Sequence, residues 1–267
     1  MKNRIEQMFE KLRTEKKSAF IAYVCCGDPD TERSLEVMHA LDRAGVDLIE
    51  TGVPFSDPLA DGIVNQMAAS RALNSGASVE KTLGIIKRFR EKSEIPIVLF
   101  TYLNPIYAYG FKRFHEDAAA AGADGILNLD LPHDEEEINE ELRQANELLS
   151  IRVIAPNTPP DRIAKIAKSG EGFIYYISRE GVTGERSELA SGISRQVADI
   201  KSRTNLPVVV GFGISTPEHS AAVAGMADGV VVGSAIVNTV AKHSLSADLA
   251  EQVYHFVKPL VDATKSV

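Results

Sequence analysis

The chain has 267 residues, 44% of them hydrophobic and 25% charged, a balance that supports a sizeable core in one α/β domain spanning residues 1–267. Its 29 basic and 37 acidic residues leave a net charge of −8 with no basic stripe, which argues against a nucleic-acid partner. Apolar runs of about 5 to 8 residues are too short to span a membrane, and Met1-Lys2-Asn3-Arg4-Ile5-Glu6 offers no signal-peptide core, so a cytoplasmic setting is expected.

Short apolar, β-branched runs recur along the chain and predict strands at Ser18–Cys25, Leu48–Thr51, Ile95–Thr101, Gly125–Asn128, Arg152–Ala155, Phe173–Ile177, Val208–Gly211 and Gly229–Val232. Helical periodicity lies between them, through Leu35, Met38, Leu41 and Ala44 in Thr31–Ala44 and through Leu83, Ile86 and Phe89 in Val79–Arg90. Eight strands apolar on both faces, each followed by a helix, predict a parallel (β/α)₈ TIM barrel, with an open doubly wound sheet as the rival. Cys25 and Cys26 are adjacent and have no other cysteine to pair with, so both read as reduced apolar residues at a strand end.

Three junctions repeat one chemistry: Ala44-Gly45-Val46-Asp47, Ala121-Gly122-Ala123-Asp124 and Ala224-Gly225-Met226-Ala227-Asp228. Glycine suits the left-handed residue that ends a helix, so these read as structural turns between repeated units. Strand starts are roughly 20–30 residues apart, as a barrel requires. The gaps from Leu48 to Ile95 and from Phe173 to Val208 are longer, predicting extended loops after strands two and six on the carboxyl face.

Glu50 interrupts an apolar strand near its end. It either points into the barrel mouth, where burial would raise its pKa and suit it to acid–base work, or forms a structural salt bridge. Asp57 and Asp61 lie in the Pro- and Gly-punctuated loop that follows, where aspartate is also an ordinary turn residue. The polar loop Ser178–Ser187 reads as a lid. Val210-Gly211-Phe212-Gly213-Ile214-Ser215 and Val232-Gly233-Ser234-Ala235-Ile236 close strands seven and eight, and Ser215-Thr216-Pro217-Glu218 reads as a capping box. Glycines and helix starts in register at those two strand ends predict a phosphate site. Tyr102 and Tyr175 near strand ends line either a pocket or the core. Asp130 follows strand four and is placed to orient a neighbouring group. The acidic run at 134–137 suits a helix start. The six histidines share no ligand spacing, and no metal site is expected.

Together these segments resemble the tryptophan synthase α subunit family along nearly the whole chain. The resemblance rests on Glu50-Thr51-Gly52-Val53-Pro54-Phe55-Ser56-Asp57-Pro58-Leu59-Ala60-Asp61-Gly62, with Gly27-Asp28-Pro29, Tyr102 with Asn104-Pro105, and Asp130-Leu131-Pro132. Gly181-Val182-Thr183-Gly184, Gly211-Phe212-Gly213-Ile214-Ser215 and Gly233-Ser234-Ala235-Ile236-Val237 complete it in the family's order.

The resemblance implies retro-aldol cleavage of indole-3-glycerol phosphate to indole and glyceraldehyde 3-phosphate. Glu50 is then acid and base, Asp61 accepts the indole N–H, Thr183 brings the lid over Asp61, and Tyr175 positions the catalytic groups. Gly184, Gly213, Gly233 and Ser234 hold the phosphate, while Tyr23, Tyr102 and Phe212 pack near the substrate. No cofactor is implied in this chain. A β subunit carrying pyridoxal phosphate is the implied partner in an αββα complex, met by the loop of Asp57 and Pro58. The sequence departs from the family pattern at Cys25-Cys26, at Ile63-Val64-Asn65 in place of a Pro-containing helix start, and at Glu185. A stand-alone indole-releasing lyase, a barrel reduced to an allosteric partner, and a phosphosugar isomerase are the competing readings.

Overall fold

The computed structural model describes residues 2–267 except 133, 134, 136, 179–185 and 212. The elements run α1 (Arg4–Glu15), β1 (Ala19–Cys25), α2 (Thr31–Ala44), β2 (Leu48–Gly52), α3 (Ile63–Asn74), α4 (Val79–Arg90), β3 (Ile97–Thr101), α5 (Leu103–Tyr109), α6 (Phe111–Ala121), β4 (Gly125–Asn128) and α7 (Glu137–Ala145). The second half is β5 (Leu149–Ser150), β6 (Arg152–Ile154), α8 (Pro160–Ser169), β7 (Ile174–Ile177), α9 (Arg186–Lys201), β8 (Val208–Gly211), α10 (Pro217–Ala224), β9 (Gly229–Val232), α11 (Ser234–Lys242) and α12 (Leu249–Lys265).

All the strand pairs are parallel, in the order β5-β4-β3-β2-β1-β9-β8-β7-β6. The two ends of that order are one stretch of chain. β5 pairs with β4, the Ile151 N–H continues the ladder to the Ile126 carbonyl, and β6 pairs with β7. That stretch occupies a single barrel position and closes the ring, so the predicted (β/α)₈ barrel is the fold and the open sheet is excluded. Each predicted strand has its counterpart, displaced at most by two residues at an end.

Alternation along the strands sorts side chains into two layers. Phe20, Ala22, Val24, Ile49 and Leu99 face the helices. Ile21, Leu48, Val98, Leu127, Phe173, Val209 and Val231 fill the lower interior, where Ile5, Phe9 and Leu12 of α1 stopper the barrel from below. The sequence reading did not single out α1. Asn3 caps it, accepting from the Ile5 N–H, while Glu6 reaches back to the Asn3 N–H as a capping box.

The repeated junctions have a second function beyond the turn. Asp47, Asp124 and Asp228 each accept a backbone N–H at the start of a neighbouring strand, from Phe20 (2.6 Å), Ile97 (2.8 Å) and Val208 (2.8 Å). They latch the lower rim. Gly45 and Gly122 are left-handed as expected, at φ 89° and 95°. Gly225 is not. At φ −69° it continues the helical turn, its N–H bonded to the Ala221 carbonyl, and the Met226 and Ala227 N–H groups both turn back to the Val223 carbonyl.

The long gap after β2 holds the expected extended loop, 53–62, but also an additional helix, α3. Of the expected lid, Ser178–Ser187, residues 179–185 lie outside the described residues, while Arg186 and Ser187 already belong to α9. The capping box at Ser215 is also displaced: Thr216 is the N-cap, its hydroxyl accepting from the His219 N–H, which puts Glu218 one position too early for the reciprocal bond. Cys25 and Cys26 are free and buried, and burial pushes the Cys26 thiol up to about 12. Among the described residues, no helix is long and apolar enough to cross a membrane.

Candidate active site at the barrel mouth

Above the apolar plug, the carboxyl ends of the strands bring the ionisable side chains together. In register, Glu50 on β2 lies beside Tyr23 of β1 and Val98 of β3, and it shares the inward parity of Leu48. Glu50 is 1% exposed, and its Oε1 has no hydrogen-bond partner. No cation among the described residues pairs with it, so the salt-bridge reading fails. Burial alone raises its pKa to about 8, which leaves it protonated at neutrality. A carboxyl group kept in that state is able to give a proton and take one back.

Asp61 stands on the rim, where the loop after β2 enters α3. The Tyr102 hydroxyl donates to its Oδ2 (2.8 Å), the Asn65 amide donates to its Oδ1 (3.3 Å), and the Gln66 amide donates to its backbone carbonyl (2.8 Å). The Ala60 N–H donates in turn to the Tyr102 hydroxyl (3.0 Å). Desolvation raises the Asp61 pKa, opposed by the Tyr102 and Asn65 bonds. Burial first, and then this same carboxylate, pushes the Tyr102 phenol up.

Tyr23 and Tyr175 line the wall between these groups. Burial first, and the Glu50 carboxylate second or later, hold both phenols well above their ordinary range, so both stay protonated donors. Phe100 packs edge-on against Tyr23 at 5.0 Å between centroids, and Phe55 lies 5.4 Å from Tyr102. A flat apolar molecule would meet aromatic faces here, with carboxyl groups at two of its edges.

Gly233 is the N-cap of α11, where an added Cβ would lie 3.5 Å from the Tyr23 side chain, and Ser234 opens that helix at the surface. The first-turn N–H groups of a helix have no carbonyl upstream to bond, so they suit an anion. Gly213 is exposed on the neighbouring loop. Thr183, Gly184 and Phe212 lie outside the described residues. Asp57 is exposed and accepts from the Ser56 hydroxyl (2.7 Å), beside the half-buried Pro58.

Fold and mouth together can be compared with known proteins. The family model described as tryptophan synthase alpha chain matches residues 9–265. A tryptophan synthase alpha chain from Opitutus terrae is 50% identical, covering 89% of this chain and 90% of its own, and one from Desulfatibacillum aliphaticivorans is 45% identical over 98% of each. The chain belongs to the tryptophan synthase alpha chain family. The solved tryptophan synthase subunit alpha of Legionella pneumophila superposes with a TM-score of 0.93 at 34% identity over 100% of both chains. A structure of Mycobacterium tuberculosis tryptophan synthase gives 0.89 at 33% identity over 99% of each chain.

Several supports of this alpha-chain site were not read from the sequence. Arg71 of α3 forms two bonds to the buried Asp28 carboxylate (2.9 and 2.8 Å), tying the loop after β1 to the helix that carries Asn65 and Gln66. Asp130 is the exception: expected to orient a neighbouring group, it accepts the Leu103 N–H (2.7 Å) and fixes the start of α5 next to Tyr102.

Two glycines make room for the tyrosines. A Cβ on Gly52 would meet the Tyr23 hydroxyl at 2.5 Å, and one on Gly211 would meet the Tyr175 hydroxyl at 2.4 Å. Gly211→Ala is expected to push Tyr175 off Glu50 and to destabilise the fold by about 1–3 kcal/mol. Turnover and melting temperature measured together check this, and an unchanged turnover counts against Tyr175. Tyr102→Phe removes one bond to the Asp61 carboxylate. It is expected to lower kcat/KM about tenfold, with little change in melting temperature, in a steady-state assay.

Proposed function

We propose that this chain is a carbon–carbon lyase that cleaves indole-3-glycerol phosphate to indole and glyceraldehyde 3-phosphate. The observation that carries the reading is the pair at the mouth: an uncharged, unpaired Glu50 inside it and a hydrogen-bonded Asp61 on its rim. Glu50 gives its proton to indole C3, and Asp61 accepts the ring N–H as positive charge develops on the ring. The Glu50 carboxylate then takes the proton from the hydroxyl on the carbon attached to C3. The bond between that carbon and C3 breaks, its electrons return to the ring, and an aldehyde is left. Glu50 ends protonated, as it began.

Tyr175 and Tyr23 hold their positions beside Glu50, and Tyr102 orients Asp61. Gly184, Gly213, Gly233 and Ser234 receive the phosphate, with Phe212 against the ring and Thr183 closing over Asp61. No cofactor takes part in this chain. Its partner is the tryptophan synthase β subunit, which holds pyridoxal phosphate and receives the indole, in the cytoplasm.

Asp57 and Pro58 meet that partner. Leu59 (93% exposed), Ile63, Met67 and Tyr107 are apolar and exposed at the same end of the barrel, which favours a partnered enzyme over a stand-alone lyase. Indole release from indole-3-glycerol phosphate, with and without a β subunit, tests the reading. Cleavage stimulated by the subunit is expected. Equal rates in both arms count for the stand-alone lyase, and no cleavage in either overturns the reading. Because the first step needs a protonated Glu50, kcat/KM is expected to fall as pH rises through about 8. A profile still rising beyond that pH sinks the acid role.

A further inference from the structure

We propose that Asn65 is a positioning residue for Asp61, its amide fixing one carboxylate oxygen while Tyr102 fixes the other. The inference rests on the reading of Asp61 as acceptor of the ring N–H. Asn65 is the third residue of α3, behind the N-cap Gly62, which makes no side-chain cap bond. A residue at that position normally serves its helix by accepting the N-cap N–H. Asn65 does the reverse, donating from Nδ2 to the Asp61 Oδ1 at 3.3 Å.

Its own Oδ1 is buried and unpartnered, a penalty that an aliphatic residue in the same half-buried place would avoid. Helix stability therefore does not account for the side chain. Holding the carboxylate does. One donor alone would leave the carboxylate free to rotate about its bond to Cβ, whereas donors on both oxygens fix the plane in which the ring N–H must arrive. Asn65 also lies within Ile63-Val64-Asn65, where the sequence departs from its family's pattern, so the second donor is a feature of this chain's own helix start.

The groups facing Asp61 do not mimic this effect. Tyr102 comes from the end of β3, Tyr23 and Cys25 from β1, and Gln66 from α3, and all are uncharged at neutral pH. Glu50 is protonated below about 8, and the Asp28–Arg71 pair lies beyond Cys25.

The test is the acidic limb of kcat/KM for indole-3-glycerol phosphate in the holo complex, comparing the parent with Asn65→Leu, Asn65→Asp and Asp61→Asn. Removing a donor from an ionised carboxylate raises its pKa, and adding a like charge raises it further. The limb is expected to move up by about one pH unit in Asn65→Leu and by about two in Asn65→Asp, which preserves the shape of asparagine. At the pH optimum, Asn65→Leu is expected to lower kcat about tenfold while KM changes less than about threefold. Limbs that coincide with the parent's, while Asp61→Asn is inactive, overturn the role of Asn65 and leave Asp61 intact. A fully active Asp61→Asn overturns the reading of Asp61 itself, and the inference with it.

Discussion

Glu50→Gln is expected to abolish indole release and, in the same protein, to raise the melting temperature. One side chain both gives and takes the proton, and each role contributes about 10²- to 10⁴-fold, so losing both costs at least about 10⁴-fold in kcat. The gain in stability follows from linkage. The folded carboxyl titrates at about 8 against an ordinary value of 4.5, so the folded state binds the extra proton between those values. Stability is therefore lost as pH rises from about 4.5 through 8 and levels off above it. At pH 7 the penalty is on the order of 3 kcal/mol. Glutamine removes the titration, though its buried amide takes part of the gain back. A melting temperature higher by roughly 4–8 °C at pH 7, shrinking toward pH 4.5, is the signature. A variant that loses turnover but melts lower than the parent would show that Glu50 supports the fold rather than straining it.

The largest effect on folding is expected at the other end of the barrel. Asp124 accepts the Ile97 N–H and pairs with Arg90 (2.8 Å) and Arg4 (3.0 Å). Burial raises the Asp124 pKa and lowers that of Arg90, so the charges are held against a desolvation penalty and the pair is not itself a large net source of stability. Breaking it is another matter. Asp124→Ala leaves the nearly buried Arg90 without this counter-ion, still held by the Gly122, Ser93 and Ile95 carbonyls, and leaves the Ile97 N–H without its acceptor, which costs about 3–5 kcal/mol. Urea midpoints should fall accordingly, while KM for the substrate stays where it was. Turnover lost with stability unchanged would contradict the separation of the two faces.

These two residues were not equally legible in the sequence. Glu50 stood out because an ionisable residue inside an apolar strand demands an explanation. Asp124 was visible as part of a recurring turn, yet its latch on the neighbouring strand β3 joins residues that only the folded sheet brings together. The strands were legible because they are buried on both faces and leave unbroken β-branched runs. The helix α3 was not, since it buries little beyond Ala68, Ala69 and Ala72 and shows no strong apolar stripe.

Asp61 illustrates the limit best. In sequence it is a turn aspartate among several, and the resemblance alone raised it above them. Its partners come from the end of β3 and from the first turn of α3, one far along the chain and one in a helix the periodicity did not reveal. Nothing in the sequence marks Gly52 and Gly211 as making room for tyrosines, because Tyr23 and Tyr175 belong to neighbouring strands.

The stopper formed by Ile5, Phe9 and Leu12 bears on traffic as well as on packing. Among the described residues those side chains seal the floor, so substrate reaches Glu50 from the carboxyl mouth and two products leave on that side. An oily product departing there meets Leu59, Ile63, Met67 and Tyr107 at the threshold before it meets open water. A receiving protein has no back entrance to use. It must dock over the mouth, and when it does, it governs admission as well as departure.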